Sequence, residues 1–243
     1  MICDVAKDVF WGDGQRADPA DCHVMKFFEV MVADVDLFID AGSYSGLFTL
    51  VAAATSTSVH CFAYEILPDA FIMLIRNIVQ NNFVGRCELR LCGLGNARSK
   101  VKMPKKVLNL ILPSSLSLGS DFPEGTRIPV STIDDDFISV KGQSVVVKID
   151  VEGFEGAVIE GATHFIKSNS VDFICEILPD AVDGEKIDQL LGQMSYQFYQ
   201  FTSSGLVQRT SIIPSKEGKD WLFTKRSVGQ VKNIAEKCQV FIH

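Results

Sequence analysis

Short runs of consecutive apolar residues alternate along most of the chain with longer stretches whose apolar positions recur at helical spacing. The short runs predict buried strands over residues 36–41 (DLFIDA), 58–64 (SVHCFAY), 86–91, 145–150 (VVVKID) and 171–176 (VDFICE). Residues 46–54 read as the helix after the first strand. Residues 68–82 read as an amphipathic helix, with Phe71, Leu74, Ile75, Ile78 and Val79 on one face and Pro68 at its first turn. A further helix is expected over 154–167, with Ala157, Val158, Gly161, Ala162 and Phe165 sharing a face. Strands apolar throughout, alternating with helices, imply an α/β fold whose parallel sheet is covered on both faces.

Residues 95–135 interrupt the rhythm. A basic strand-like piece (100–106) and a Ser/Pro/Gly/Leu-rich stretch (109–126) precede a short strand near 128–133. This insertion is too apolar for a linker and is expected to cover a substrate. Two later strands, 197–202 and 220–224, are expected to pair as an antiparallel hairpin closing one edge. The hexapeptide EILPDA occurs at 65–70 and again at 176–181, each time where a strand ends. The expected organisation is a lead-in over 1–35, a main domain over 36–226 and a tail over 227–243.

Composition narrows the class. The chain has 243 residues, and a 47% apolar share is enough for a full core. No apolar run approaches the roughly 18 residues of a membrane span, and the first ten residues lack a secretory signal's basic start and apolar stretch. A soluble, cytoplasmic protein without membrane contact is expected. The net charge of −7 and the lack of a Lys/Arg cluster disfavour nucleic acid as a partner. The seven cysteines form no CxxC pair and read as small buried hydrophobes in a reducing compartment. His60 reads as a core residue and His164 as a surface or helix-packing one. No His/Asp/Glu spacing indicates a dedicated metal site, although two carboxylates after the fourth strand could hold Mg²⁺.

In an open parallel sheet, ligands bind at the carboxyl ends of the strands, near the switch in strand order. After the first strand runs Asp40-Ala-Gly42-Ser43-Tyr44-Ser45-Gly46. Its glycines allow tight turning, and the helix behind it offers free N–H groups to a carboxylate. Tyr44 occupies the place where a dinucleotide fingerprint needs its second glycine, which disfavours a nicotinamide oxidoreductase. Glu65, followed by Ile66, ends the second strand, where a carboxylate can accept both hydroxyls of a ribose. Cys92 and Gly93 follow the third strand, beside an adenine position. Asp150, Glu152 and Glu155 leave the fourth strand within six residues. Carboxylates so placed suit a sulfonium cofactor and oppose a nucleotide phosphate.

The run VVVKIDVEGFE, followed by Gly161-Ala162, resembles the signature segment of the FkbM methyltransferases. IDAGSYSG, FAYEILP and STIDD occur in that family's order, and DWLFTK resembles its last strand; the similarity spans residues 37–225. The first motif departs from the family's usual Asp-Val-Gly-Ala-Asn-x-Gly at Ala41, Ser43 and Tyr44. The resemblance implies a Rossmann-like class I methyltransferase fold of seven strands, mostly parallel with the last antiparallel. It implies S-adenosylmethionine as cofactor, held by Asp40, Gly42, Ser43, Tyr44, Ser45, Gly46, Glu65, Ile66, Cys92, Gly93 and Asp150. The implied activity is O-methylation of a hydroxyl on a sugar or natural-product-like small molecule. Asp150, Glu152 or Glu155 would remove the proton, with Asp150 equally suited to the cofactor. A protein or RNA acceptor, or cofactor binding without catalysis, are the alternatives.

Overall fold

The computed structural model describes residues 19–103, 125–178, 184–215 and 217–243. In chain order the elements are α1 (Pro19–Val32), β1 (Leu37–Ala41), α2 (Leu47–Thr55), β2 (His60–Glu65), α3 (Pro68–Gln80), β3 (Cys87–Leu91), β4 (Gly93–Leu94), β5 (Ser99–Met103), β6 (Thr126–Ser131), α4 (Ile133–Asp136), β7 (Ser144–Ile149), α5 (Glu155–Glu160), α6 (Thr163–Ser168), β8 (Ser170–Glu176), α7 (Gly184–Gly192), β9 (Gln197–Thr202), β10 (Gly205–Arg209), β11 (Asp220–Thr224) and α8 (Val228–Lys237).

Among the described residues, eight strands form the main sheet, in the order β10-β9-β11-β8-β7-β1-β2-β3. The pairs from β8 to β3 are all parallel, and β11 runs antiparallel to both its neighbours. The strands β1, β7 and β8 are almost wholly buried, as the continuous apolar runs require. One face packs Ile39, Val147, Ile149 and Phe173 against Val158, Ile159 and Phe165 of α5 and α6 and Ile187 of α7. The other packs Phe38, Cys61, Val146 and Ile174 against Phe27 and Phe28 of α1, Ala52 of α2 and Val231 of α8. The described end of the lead-in and the tail therefore belong to one layer of the core.

Several expectations are corrected. The sheet has eight strands rather than seven, because β9 turns back through Ser203 and Ser204 into β10. The strands 197–202 and 220–224 are antiparallel neighbours, but they do not close an edge. Every residue of β11 is buried, so β11 lies between β8 and β9, and the hairpin joins β9 to β10. The buried stripe of α3 is Ala70, Leu74, Asn77 and Ile78, whereas Ile75 and Val79 are 39% and 54% exposed. The side-chain amide of Asn77 donates to the Ser45 carbonyl at 2.8 Å and turns that face inward. His60 is only half-buried, its ring 5.0 Å from that of Phe62. His164 is exposed.

The single helix expected over 154–167 is two, α5 and α6, broken at Gly161-Ala162. Asp134 of α4 accepts the amides of His164 and Phe165 at 3.1 and 2.7 Å and donates its own to the Gly161 carbonyl at 2.9 Å. These bonds cap α6 from outside, which a sequence period cannot register. The described part of the 95–135 insertion supplies β5 and β6, which join β4 in the small sheet β4-β6-β5, and its Ile128 and Met103 pack on Leu67 and Ala70. Residues 104–124 of the insertion, the repeat beyond Leu178 and the first part of the lead-in lie outside the described residues.

Gly161 backs directly on the insertion: a Cβ there would lie 2.0 Å from the Gly95 carbonyl oxygen. Gly161→Ala is therefore expected to destabilise the fold by about 1–3 kcal/mol. A urea midpoint equal to wild type would show that the two segments separate at no cost.

Candidate functional site

The switch in strand order falls between β1 and β7: the chain runs outward from β1 through β2 to β3, then returns to β7 on the other side. The residues leaving these adjacent strands meet. Asp150 donates its amide to the Ala41 carbonyl at 2.9 Å. Gly42 has φ +82°, and a Cβ there would fall 1.8 Å from the Asp150 carbonyl oxygen, so only glycine fits.

Asp40 is buried at the end of β1. Its Oδ2 accepts the Thr49 hydroxyl at 2.6 Å and the Thr49 amide at 3.2 Å, which caps α2 from beneath. Burial raises its carboxyl to about 6, against the lowering effect of Thr49 and Lys148. The amides of Gly42 and Ser43 and the Ser43 hydroxyl all donate to the Tyr64 carbonyl. Tyr44 sits at φ +49° and donates its amide to Glu65 Oε2 at 2.6 Å. Glu65 Oε1 accepts the Leu67 amide at 2.7 Å. Burial pushes the Glu65 carboxyl up to about 7, and these backbone amides only partly offset it. Beyond β3, Cys92 donates its amide to the Glu65 carbonyl at 3.0 Å. A Cβ on Gly93 would approach Ile66 Cδ1 to 3.0 Å. Asp40, residues 42–46, Glu65, Ile66, Cys92 and Gly93 thus form one connected group across the ends of β1, β2 and β3.

A second group lies across the ends of β7, β8 and β11. The buried Lys148 ammonium lies 3.6 Å from Asp150 Oδ2 and 3.4 Å from Asp220 Oδ1, and donates to the Ile149 carbonyl at 3.3 Å. It also sits 5.3 Å from the centre of the Phe48 ring. The surrounding carboxylates outweigh its desolvation and raise its pKa. Carboxylate oxygens of Asp150, Glu152 and Glu176 lie within 4.8 Å of one another, and Lys219 pairs with Glu176. Two of these three carboxylates therefore already have a lysine partner. Burial, then Asp150, push Glu176 up to about 8. Burial and Asp150 also raise Glu152, which is half-buried at φ +55°. Glu155 differs from its two companions. Its Oε1 accepts the Gly153 amide at 3.0 Å and the Val151 amide at 3.3 Å, so it braces the turn it follows.

Sequence reasoning did not single out Lys148, Glu176, Lys219 or Asp220 for this site. The second hexapeptide, beginning at the end of a strand, was the available signal for Glu176. Nothing local marks Lys219 and Asp220, because β11 reaches the site only by inserting beside β8.

The profile of the Methyltransferase FkbM domain matches residues 40–198. The chain belongs to the FkbM methyltransferase family. That span begins at Asp40 and takes in the Glu65 and Asp150–Glu176 groups. No curated protein matches the sequence. Solved structures similar to this FkbM-domain chain include an O-methyltransferase from Bacillus cereus in complex with SAH, 11% identical over 85% of this chain and 80% of that one, with TM-score 0.48. A precorrin-6y C5,15-methyltransferase from Geobacter metallireducens GS-15 is 10% identical over 84% and 89%, with TM-score 0.48. An rRNA methylase from Streptococcus thermophilus is 11% identical over 82% and 91%, with TM-score 0.43.

The donor set is compatible with the family's S-adenosylmethionine. Each Glu65 oxygen accepts one backbone amide, and a carboxylate has about four acceptor positions, so lone pairs remain for a diol. The first amides of α2 face the loop without an acceptor inside their own helix.

Glu65 is protonated more readily in the folded chain, about 7, than at the ordinary 4.5. Its stabilising contribution is thus complete below 4.5 and is lost as pH rises through 7. The stability of Glu65→Gln relative to wild type should rise across that window, read from urea midpoints at several pH values. A difference constant with pH would mean that the carboxyl is ionised at no cost.

Proposed function

We propose that this FkbM-family methyltransferase transfers the methyl group of S-adenosylmethionine to a hydroxyl of a small molecule, a sugar or a natural-product-like alcohol. The observation that carries the reading is the abutment of two groups at the switch point. The loop pinned by Glu65 and the carboxylates leaving β7 are joined through Gly42 and Asp150. In this reading Asp40 and residues 42–46 hold the methionine half, Glu65 the ribose, and Ile66, Cys92 and Gly93 the adenine side. Asp150 stands between cofactor and acceptor, and Glu176 and Lys219 face the acceptor.

The bound cofactor supplies a methyl group on a strong leaving group. The chain has to align the hydroxyl, exclude water and accept its proton. Among the three carboxylates leaving β7, Glu152 suits proton acceptance best. Glu155 is taken by the turn, and Asp150 is paired with Lys148. Burial and acidic neighbours make Glu152 more basic than an exposed glutamate. The net charge of −7 and a site rich in carboxylates support a neutral hydroxyl acceptor over a polyphosphate such as RNA.

Calorimetry should detect S-adenosylmethionine binding and far weaker NAD binding; the reverse order would overturn the cofactor assignment. Glu65→Ala should weaken S-adenosylmethionine binding by about 10- to 150-fold, the loss of roughly 1.5–3 kcal/mol of charged hydrogen bonds. Glu176→Ala should leave that affinity near wild type and act on turnover instead. Equal affinities for the two variants, with circular dichroism confirming that both fold, would remove Glu65 from the ribose.

The chemistry is tested by release of S-adenosylhomocysteine across a panel of sugar and polyketide alcohols. Glu152→Gln should lower turnover by about 10²–10⁴-fold at unchanged cofactor affinity. A near-normal rate would place the base elsewhere.

A further inference from the structure

The N-terminal ends of β2 and β3 bring together two thiols that lie away from the candidate site. Cys61 and Cys87 are register partners in the parallel β2–β3 pair. Directly registered residues of parallel strands point to the same side of the sheet, and these two pack into the same apolar cluster. Adjacent strands run about 4.7–4.9 Å apart. That separation lies within the roughly 4.4–6.8 Å of Cα spacing that a disulfide spans. Both cysteines are free; Cys61 is fully buried and Cys87 half-buried. None of the other described cysteines (Cys22, Cys92, Cys175 and Cys238) has a cysteine as its register partner.

We propose that Cys61 and Cys87 are a reversible thiol–disulfide couple, in which Cys87 reacts with a hydroperoxide and Cys61 closes the bond. Cys87 is the accessible member. The Cys61 thiol beside it lowers its pKa against the effect of burial, and the Arg86 guanidinium adds to the lowering. That guanidinium is held in place by the Ser56 and Ala53 carbonyls at 2.7 and 2.8 Å. Cys61 is shifted the opposite way, first by Cys87 beside it and then by burial, so it keeps its proton. Cys87 is thus the attacking thiolate, and Cys61 gives up its proton to the leaving hydroxyl as it closes the bond.

In the first step the Cys87 thiolate attacks a peroxide oxygen. The O–O bond breaks, hydroxide leaves, and the sulfur is oxidised to sulfenic acid while the peroxide is reduced. In the second step the Cys61 sulfur attacks the Cys87 sulfur. The S–S bond forms, the S–O bond breaks, and the hydroxyl leaves as water with the Cys61 proton. One hydrogen peroxide and two thiols thus give one disulfide and two waters.

The full chain, reduced and then titrated with hydrogen peroxide, is alkylated, digested and mapped by mass spectrometry. The expected product is a Cys61–Cys87 cross-linked peptide pair, two hydrogens lighter than the separate thiol peptides and restored by dithiothreitol. In Cys61→Ser, Cys87 should stop at the sulfenic acid and be trapped by dimedone; in Cys87→Ser, Cys61 should remain a thiol. The wild-type peptide map decides the question even where a variant folds poorly. Recovery of both residues as alkylated thiols at peroxide levels that oxidise Cys22 would overturn the proposal, as would cross-links to other cysteines in their place.

Discussion

The loop after β1 can lie where it does because Gly42 has no side chain. The Asp150 carbonyl occupies the space a Cβ would need, and the Asp150 amide binds back to Ala41. This contact joins the two halves of the sheet at the point where the chain changes direction. It also brings the loop that ends at Gly46 against the carboxylates that leave β7. Were the two strand ends further apart, the residue group across β1–β3 and the charged group across β7, β8 and β11 would be separate features. Glu65 holds the same loop from the other side, through the Tyr44 amide, so the loop is fixed between β2 and β7.

The second constraint is charge kept out of water. Lys148 follows three consecutive valines in β7, and its ammonium is met by Asp150, Asp220 and the Ile149 carbonyl. Removing one partner of a buried pair costs several kcal/mol, because it leaves the other charge unpaired. The pairing therefore ties β7 to β11 and orients Asp150. The carboxylates nearby are crowded, and burial and mutual repulsion raise Glu152 and Glu176. A site in that state gains by admitting a positive charge and loses by admitting a phosphate. This is the electrostatic counterpart of membership in a methyltransferase family, whose cofactor is a sulfonium.

The two copies of EILPDA show how far identical local sequence can diverge. Glu65 ends β2 and is bound by two backbone amides, one from its own turn and one from the neighbouring loop. Glu176 ends β8 and is met by Lys219, brought alongside by the antiparallel β11. The first glutamate shapes a loop, while the second takes part in a cluster of side chains. The difference lies in what stands beside each strand.

Patterns with a short period were legible in the sequence by itself. The five parallel strands, the helix over 68–80, the glycine loop and the order of the acidic strand ends followed from apolar runs and from residues a turn demands. These depend on backbone geometry within a few residues, which a sequence expresses directly. Contacts between distant segments were not legible. The break at Gly161 depends on Asp134 and Gly95, and the buried face of α3 on a bond from Asn77 to Ser45. The place of β11 between β8 and β9, which brings Lys219 and Asp220 to the site, depends on pairing with strands that lie far off in the sequence. Periodicity determines which residues avoid water; only the packed chain determines which neighbour they meet when they do.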